Sequence, residues 1–335
     1  MWRDVKDLLC VRLDSLGDVL MTTPAMRALR DTLGCRVTLL TSPAGAALAG
    51  LLPEADEVLV WRAPWMKGAP SGDDLAFVEK LRGFDAAAIF SVYSQSALPA
   101  AYLCSLAGIP RRLAHCRENP YHLLTDWVPD PEPATTVRHE VQRQLDLVAA
   151  IGCRTPDERL SFRLPDSARE RVAAMDLPAP LVVVHPGASA ASRRYPPESY
   201  ARALELLGCE VVLTGDAAER DLVEGVRALM RVPSRSLAGR LDLAELGALI
   251  EAADLLICNN TGPAHIAAAV GTPVVDLYAL TNPQHTPWRV ESRVLFHDVP
   301  CRNCYKSVCP TGGHECLRGV TPERVAAAAR ELLAA

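Results

Sequence analysis

The segment ADLLICNNTGPAHIAAAVGTP, residues 253–273, contains the end of one predicted strand and the start of the helix that follows it. Residues 253–258 form a short apolar run, which is typical of a buried strand. Small apolar residues after Gly262 predict a tightly packed helix. Thr261 and Gly262 lie between the two, where backbone N–H groups and the positive end of the helix dipole can hold a phosphate. The segment therefore predicts a phosphate-binding turn in an α/β domain.

His265 lies within one turn of the start of this predicted helix. A single histidine in an apolar helix is more often a buried core residue than a ligand contact. Because His265 is so close to the Gly262-Pro263 helix start, we favour a place beside the bound anion.

Composition limits the class of protein. The chain has 335 residues, which predicts two domains of ordinary size, and 49% of the residues are hydrophobic. A net charge of -5 argues against a protein that coats nucleic acid. The start of the chain is charged, and the apolar run after it covers only Leu8 to Val11, so no signal peptide is expected. No apolar stretch approaches the ~18 residues of a membrane-spanning helix, and we expect a cytoplasmic protein.

Strands and helices alternate along the chain, which predicts parallel sheets covered on both faces. The predicted strands are residues 8–13, 36–40, 57–61, 86–90, 181–185, 210–214, 253–258 and 273–278. A helix is predicted over residues 19–33, with Gly34 as its stop. A proline-rich linker at 155–180 separates two series of elements. We therefore predict doubly wound domains at 1–165 and 166–320, which face a substrate cleft, and a C-terminal helix within 321–335.

Four loops follow strands, at the edge of the sheet where such folds bind ligands. In the first loop, Gly17 allows close backbone approach, and Ser15 and Asp18 flank the start of a helix. Asp18 can act there as a general base. The alternative is that Asp18 or Ser15 only caps the helix, and the turn by itself favours the cap.

The second loop begins with His185-Pro186-Gly187-Ala188-Ser189 and continues to Arg193 and Arg194. Arginine can bind diphosphate oxygens by paired hydrogen bonds, although most adjacent arginines are a solvated surface pair. The flanking loop of small residues favours the ligand interpretation.

The third loop contains Asp216 and Glu219 after a predicted strand. Their carboxylates can bind ribose hydroxyls, as in dinucleotide sites. A capping Asp with a first-turn Glu explains the same pattern equally well. The fourth loop is the Thr261-Gly262 turn.

Taken together, these loops resemble glycosyltransferase family 9, the heptosyltransferase family, which has the GT-B fold of two Rossmann-like domains. The matching pieces are residues 12–18, 185–188, 193–196, 214–215 and 260–269. The resemblance implies an inverting, metal-independent glycosyltransferase that needs no cofactor. Its donor would be a nucleotide sugar, often ADP-heptose, and its acceptor a lipopolysaccharide core, a lipid-linked sugar or another glycan. The resemblance also implies that the C-terminal helix packs back on the N-terminal, acceptor-side domain.

The resemblance also assigns roles to single residues. Asp18 matches the family's proposed general base, with Ser15 and Gly17 beside it on the acceptor side. Glu219 best matches a ribose-binding carboxylate, with Asp216 as the alternative. The other predicted donor-side residues are His185, Gly187, Ser189, Arg193, Arg194, Asn260, Thr261, Gly262 and His265.

Two of these positions depart from the family's pattern. Arg193 stands where the family usually has a phosphate-binding Lys, which keeps the charge but changes its geometry. Asn260 stands where the family often has Asp. If that Asp matters for its charge, donor choice differs here; if it only caps a helix, Asn serves as well.

Four cysteines form a C-terminal cluster, Cys301-x2-Cys304-x4-Cys309-x6-Cys316. This spacing makes the four cysteines candidate ligands of a structural zinc, with unligated thiols or disulfides as the alternatives. The chain has 11 cysteines, and in a reducing compartment most are expected to be buried thiols.

Other functions compete with glycosyl transfer. A GT-B-type nucleotide-sugar epimerase requires several acid and base residues around one sugar, and no such set is evident. A catalytically inactive nucleotide-sugar-binding protein is consistent with Asn260 but not with Asp18. A dehydrogenase is discounted because no G-x-G-x-x-G follows the first strand. A lipid-linked acceptor would place the protein at the inner membrane face, with Trp65, Met66, Lys67, Arg111 and Arg112 as candidate contacts.

Overall fold

The computed structural model describes residues 2–66, 72 and 74–335. The chain divides into two compact units, which we call the N-terminal unit, up to Arg163, and the C-terminal unit, from Leu164 onward. This division lies two residues before the predicted domain boundary.

The N-terminal unit is built on a six-stranded sheet. Its strands are β1 (Asp7–Arg12), β2 (Arg36–Thr41), β3 (Glu57–Val60), β4 (Ala86–Ile89), β5 (Arg111–Cys116) and β6 (Asp126–Pro129). Its helices are α1 (Leu16–Leu33), α2 (Asp74–Lys80), α3 (Leu98–Leu106) and α4 (Glu140–Ala149). The order is β3-β2-β1-β4-β5-β6, and every neighbouring pair is parallel. The strand order reverses between β1 and β4, and loops at such a point form the ligand site of doubly wound sheets.

The C-terminal unit repeats this design. Its strands are β7 (Val182–His185), β8 (Val211–Leu213), β9 (Ser234–Ser236), β10 (Leu255–Asn259), β11 (Val274–Leu277) and β12 (Ser292–Leu295). Its helices are α5 (Asp166–Ala173), α6 (Pro197–Leu207), α7 (Arg220–Leu229), α8 (Leu243–Ala252), α9 (Gly262–Val270), α10 (Glu315–Arg318) and α11 (Pro322–Leu333). The order β12-β11-β10-β7-β8-β9 is again parallel throughout and reverses between β7 and β10.

Apolar runs of four to six residues account for the central strands. Residues 8–12 of β1 and all of β10 are buried, because a parallel sheet covered on both faces hides both sides of each strand. Helix α1 ends as predicted at Gly34, whose φ of 64° is left-handed and whose N–H donates to the Arg30 carbonyl over 2.8 Å. The doubly wound α/β class is confirmed in both units.

Four strands have no counterpart among the predicted ones. Three of them are the sheet edges β6, β9 and β12, which are only partly buried and carry polar residues such as the Ser-Arg-Ser of β9. The fourth, β5, begins with Arg111 and Arg112. This charged pair interrupts the pattern, so the apolar residues that follow were not recognised as part of a strand. Edge strands bury one face at most, so they lack the continuous apolar run that marks a central strand.

The C-terminal helix α11 packs within the C-terminal unit. Its buried face consists of Val325, Ala328, Ala329 and Leu332, which join the core of that unit. The helix contacts α6 and the sheet from β10 to β12. Its predicted contact with the N-terminal domain stays a prediction.

The candidate membrane contacts differ in what they do. Arg111 forms an ion pair with Asp4, and the Arg112 guanidinium donates to the carbonyls of Ile109, His122 and Leu123. Trp65 is partly exposed, and Lys67 lies outside the described residues. None of the described helices is long and apolar enough to cross a membrane.

The packing of α11 predicts how much stability is lost when one of its buried side chains is shortened. Leu332→Ala removes a side chain that is only 4% exposed, so the free energy of unfolding should fall by about 2–5 kcal/mol. The neighbouring Leu333 only partly contacts the same core, and Leu333→Ala is the matched control with a smaller expected loss. Urea unfolding followed by circular dichroism measures both. Equal losses in the two variants would contradict this packing.

Candidate functional site

A buried arginine organises the strand ends of the N-terminal unit. Arg12 is the last residue of β1, and its side chain is fully buried. Its guanidinium forms ion pairs with Asp14 (Nε to Oδ2, 2.9 Å), Asp18 (Nη2 to Oδ1, 3.3 Å) and Glu140 (Nη1 to Oε1, 2.8 Å). A buried charge requires such partners, because an unpaired one loses its hydration without compensation. We call Arg12 and these three carboxylates the Arg12 cluster.

Asp18 caps the helix and also remains accessible. Its Oδ2 accepts hydrogen bonds from the Ser15 backbone N–H (3.1 Å) and from the Ser15 hydroxyl (2.6 Å), so the capping interpretation describes a real contact. Its side chain is 17% exposed, compared with 9% for Asp14 and 1% for Glu140. Asp18 is therefore the most exposed carboxylate of the Arg12 cluster.

Helix α4 supplies residues that the sequence analysis missed. Besides Glu140 it carries Gln144, whose Nε2 donates to Glu140 Oε1 (2.6 Å) and to the Ser91 carbonyl (3.2 Å). Arg143 donates to the same carbonyl (3.1 Å) and pairs with Asp130 and Glu132. All three α4 side chains are buried. The spacing of these polar residues is the same as on a solvent-exposed helix face. The sequence therefore does not distinguish a buried polar face from an exposed one.

The Arg12 cluster holds more negative than positive charge. Burial raises the pKa of Asp14 to about 6, although Arg12 opposes the shift, and burial also raises the pKa of Glu140. The Gln95 Nε2 donates to Asp14 Oδ1 over 2.6 Å. Asp14 and Gln95 both line a small cavity at the ends of β1 and β4, together with Leu13, Trp65, Met66, Ser91 and Ser96.

The strand ends of the C-terminal unit bring His185 and Glu219 together. His185 Nδ1 lies 3.0 Å from Thr214 Oγ1, and its Nε2 lies 3.5 Å from Glu219 Oε2. Burial lowers the pKa of His185, while the nearby carboxylates act in the opposite direction. The Glu219 carboxylate occupies the space where a side chain on Gly187 would lie, so a larger residue there would displace Glu219.

Asp216 and Glu219 hold each other at the start of α7. The Glu219 N–H donates to Asp216 Oδ1 (2.9 Å), and the Asp216 N–H donates to Glu219 Oε2 (3.1 Å). These bonds close the turn before α7, but Asp216 does not cap the helix, because the N-cap residue is Glu219 and it has no side-chain cap. Glu219 is also directed towards Gly187 and His185, whereas Asp216 is exposed.

The two arginines of the second loop lie in different surroundings. Arg194 donates from Nε to the Ala188 carbonyl (2.8 Å) and so shapes the loop itself. Arg193 is half-buried and acts electrostatically on Asp276, whose pKa is raised to about 8 by complete burial on β11. Ser189 is exposed at the tip of the loop.

Two adjacent asparagines connect the loops of this unit. Asn259, which the sequence analysis did not single out, donates from Nδ2 to the Pro186 carbonyl (2.7 Å) and accepts from the Tyr195 N–H (3.0 Å). Asn260 donates from Nδ2 to the Ala279 carbonyl (3.3 Å) and to Thr281 Oγ1 (3.2 Å). Asn260 is thus a buried hydrogen-bond donor rather than a helix cap.

Helix α9 begins as the sequence predicts. Thr261 is its extended N-cap residue, and the helix starts at Gly262. The first N–H groups of a helix have no partner within it, so they are available to an anion. His265 is buried in the first turn, consistent with a core histidine, and its place beside an anion stays a prediction.

The predicted zinc site is not formed. Across residues 2–66, 72 and 74–335, no three His, Cys, Asp or Glu side chains are arranged to hold a metal ion, and the cysteines are free thiols. Burial raises the pKa of Cys316, and the other three cysteines of the cluster add to the shift, so the four lie near one another without converging. Cys301 is exposed, and Cys309 lies 3.4 Å from the Thr311 hydroxyl instead.

Sequence comparisons with known proteins point to one family over most of the chain. The model of glycosyltransferase family 9 (heptosyltransferase) matches residues 76–314. Lipopolysaccharide heptosyltransferase 1 of Pseudomonas aeruginosa is 28% identical over 90% of this chain and 87% of its own length. Lipopolysaccharide heptosyltransferase 3 of Escherichia coli is 37% identical over 32% of this chain and 36% of its own.

Solved structures show the same fold. A glycosyl transferase family 9 protein from Veillonella parvula has a TM-score of 0.79 and 21% identity, and the match covers 100% of this chain and 99% of that one. ADP-heptose LPS heptosyltransferase II of E. coli has a TM-score of 0.76 and 24% identity over 98% of both chains. The predicted fold class is therefore confirmed over the whole chain.

The contacts of Asn260 predict what an aspartate would do in its place. Asn260→Asp removes the donor to Ala279 and Thr281 and buries a carboxylate, so the free energy of unfolding should fall by about 1–3 kcal/mol at neutral pH. The loss should shrink as the pH is lowered, because a protonated carboxyl group can donate again. Urea unfolding at two pH values measures both effects.

The matched control is Asn119→Asp, in which the exposed side chain only accepts a hydrogen bond from Tyr121. An aspartate serves equally well there, and we expect a change within about 0.5 kcal/mol. If the two variants unfolded alike, the donor role of Asn260 would be refuted.

Proposed function

The chain belongs to glycosyltransferase family 9, and from this premise we propose that it transfers heptose from ADP-heptose to a lipopolysaccharide-core acceptor. The observation that carries the proposal is the likeness to lipopolysaccharide heptosyltransferase 1, which extends over 90% of the chain and includes both units. The relatives are named as transferases, so a nucleotide-sugar epimerase or an inactive binding protein has less support.

We assign the acceptor and the base to the N-terminal unit. Asp18 is the most accessible carboxylate of the Arg12 cluster, and it lies after β1, where the strand order of the sheet reverses. In the proposed reaction Asp18 removes the proton from the acceptor hydroxyl as that oxygen attacks the anomeric carbon. A single displacement of this kind inverts the anomeric configuration.

We assign the donor to the C-terminal unit. Glu219 is proposed to bind the ribose hydroxyls, because its carboxylate lies over Gly187 beside His185. The first N–H groups of α9 and the Arg193 guanidinium are proposed to stabilise the charge that develops on the leaving diphosphate. These groups supply positive charge from the protein itself, so the proposal includes no metal ion.

A membrane location is part of the proposal only through the acceptor. If the acceptor is anchored in a lipid bilayer, the enzyme works at its surface. The partly exposed Trp65 is the best remaining candidate contact, because Arg111 and Arg112 are engaged within the N-terminal unit.

The assignment of the base leads to a direct test. Asp18→Asn should lower kcat by about 10²–10⁴-fold, because an amide cannot accept the acceptor's proton. Binding of ADP should stay unchanged, since the proposed donor residues belong to the other unit. The fold should persist, because Arg12 keeps its ion pairs with Asp14 and Glu140. Mass spectrometry of the acceptor measures the expected loss of heptosyl transfer. Calorimetry with ADP measures whether binding of ADP is unchanged.

Asp31→Asn, at an exposed position near the end of the same helix, is the control and should keep full activity. Wild-type turnover in the Asp18 variant would remove the base assignment. If thermal stability of the wild-type protein rose with none of the ADP, UDP and GDP forms, the whole proposal would fail.

The two carboxylates of the third loop give a second test. Glu219→Gln should weaken ADP binding by about tenfold, because it removes a charged acceptor for ribose hydroxyls. Asp216→Asn is the matched control. Its side-chain oxygen still accepts from the Glu219 N–H, so the effect on ADP should be much smaller. Isothermal calorimetry measures both, and a larger effect at Asp216 would reverse the assignment.

A further inference from the structure

Asp14 and Asp18 contact two neighbouring nitrogens of the same guanidinium. Asp14 is held at Nε over 2.9 Å, and Asp18 at Nη2 over a longer 3.3 Å. Glu140 takes Nη1 over 2.8 Å. One positive charge is therefore divided among three carboxylates, and Asp18 has the longest of the three contacts.

Every element packed around Asp14 contributes to this balance. The residues that face it are Arg12 at the end of β1, Asp18 in α1, Glu140 in α4, and the uncharged Gln95 in the loop after β4. Arg143 in α4 acts one step further out, on Glu140. Arg12, Asp18 and Glu140 are the charged groups with the largest effect on Asp14.

We infer that Asp14 is a positioning residue that sets the basicity of Asp18 by sharing Arg12 with it, an inference that rests on the proposed role of Asp18 as the base. When Asp14 is ionised, it and Glu140 neutralise most of the guanidinium charge, and Asp18 remains a strong proton acceptor. When Asp14 loses its charge, Arg12 acts more fully on Asp18 and makes it a weaker base.

The protonation of Asp14 gives this arrangement a pH dependence. Burial raises the pKa of Asp14 to about 6, and the hydrogen bond from Gln95 favours its charged form. Above that pH Asp14 is ionised and supports the base. Below it Asp14 takes up a proton, and the rate of transfer falls. The acid limb of the kcat profile in the wild-type enzyme should therefore have its half-point near pH 6.

Two substitutions should move this half-point in opposite directions. Asp14→Asn removes the charge and keeps the shape, so the half-point should fall by about one pH unit, and the plateau kcat by about three- to tenfold. Gln95→Met removes the hydrogen bond that favours ionised Asp14, so the half-point should rise. Asp31→Asn should leave the profile unchanged. A half-point that is the same in Asp14→Asn and wild type, or that moves in the same direction in both variants, would overturn the inference.

A measurement without substrate separates this inference from the proposed function. Aspartate labelled with ¹³C at the carboxyl carbon reports each titration by NMR, and the Asp18 signal is identified by its loss in Asp18→Asn. In Asp14→Asn the Asp18 signal should titrate at lower pH than in the wild type. An unmoved Asp18 titration overturns the inference even if the enzyme transfers heptose. A wild-type protein that transfers no heptose refutes the proposed function, while the NMR result still decides the role of Asp14.

If Asp14→Asn does not fold, Gln95→Met carries the test alone. It leaves all charges of the Arg12 cluster in place, and Asp14 should then titrate at higher pH than in the wild type. A kcat half-point that stays at the wild-type value in this variant would overturn the inference.

Discussion

The structure of the N-terminal unit depends on one buried guanidinium that must stay paired with carboxylates. The Arg12 side chain is fully buried, so the neighbouring elements must supply carboxylates that pair with it. This requirement fixes the turn after β1, the first turn of α1 and the position of α4, since each delivers one partner. A site built in this way is rigid, because moving any one element exposes or unpairs a buried charge.

At the equivalent strand ends of the C-terminal unit, neutral amide side chains connect the loops. Its strand order is equivalent to that of the N-terminal unit, and the loops again meet where the order reverses. There the amides of Asn259 and Asn260 connect neighbouring loops, and both are buried. Because amides carry no charge, these connections add no negative charge next to the start of α9, whose dipole favours an anion.

The sequence predicted the class of fold and the order of the loops because both follow from local patterns. Apolar runs between glycine and proline identified the central strands, and the strand-to-helix turn at Thr261-Gly262 follows from its small residues. The edge strand β9 was missed, because three polar residues bury no continuous face.

The contacts of the candidate site were predicted less well, because they join distant parts of the chain. Asp18 and Glu219 follow strands and were identified by position. Glu140 and Arg143 lie in α4, and their burial depends on Arg12 and Ser91, which no local pattern connects to them. The donor role of Asn260 likewise depends on Ala279 and Thr281, which belong to the next loop.

The ion pair between Arg12 and Glu140 also has a consequence for how the molecule assembles. The two residues are 128 positions apart, so the pair closes a very long loop, and such contacts form late in folding. During synthesis Arg12 leaves the ribosome long before α4 exists. Until Glu140 has been synthesised, Arg12 can pair only with Asp14 and Asp18, its neighbours in the sequence. The full set of ion pairs around Arg12, which surrounds the proposed base, can therefore form only after the last helix of the N-terminal unit has been synthesised.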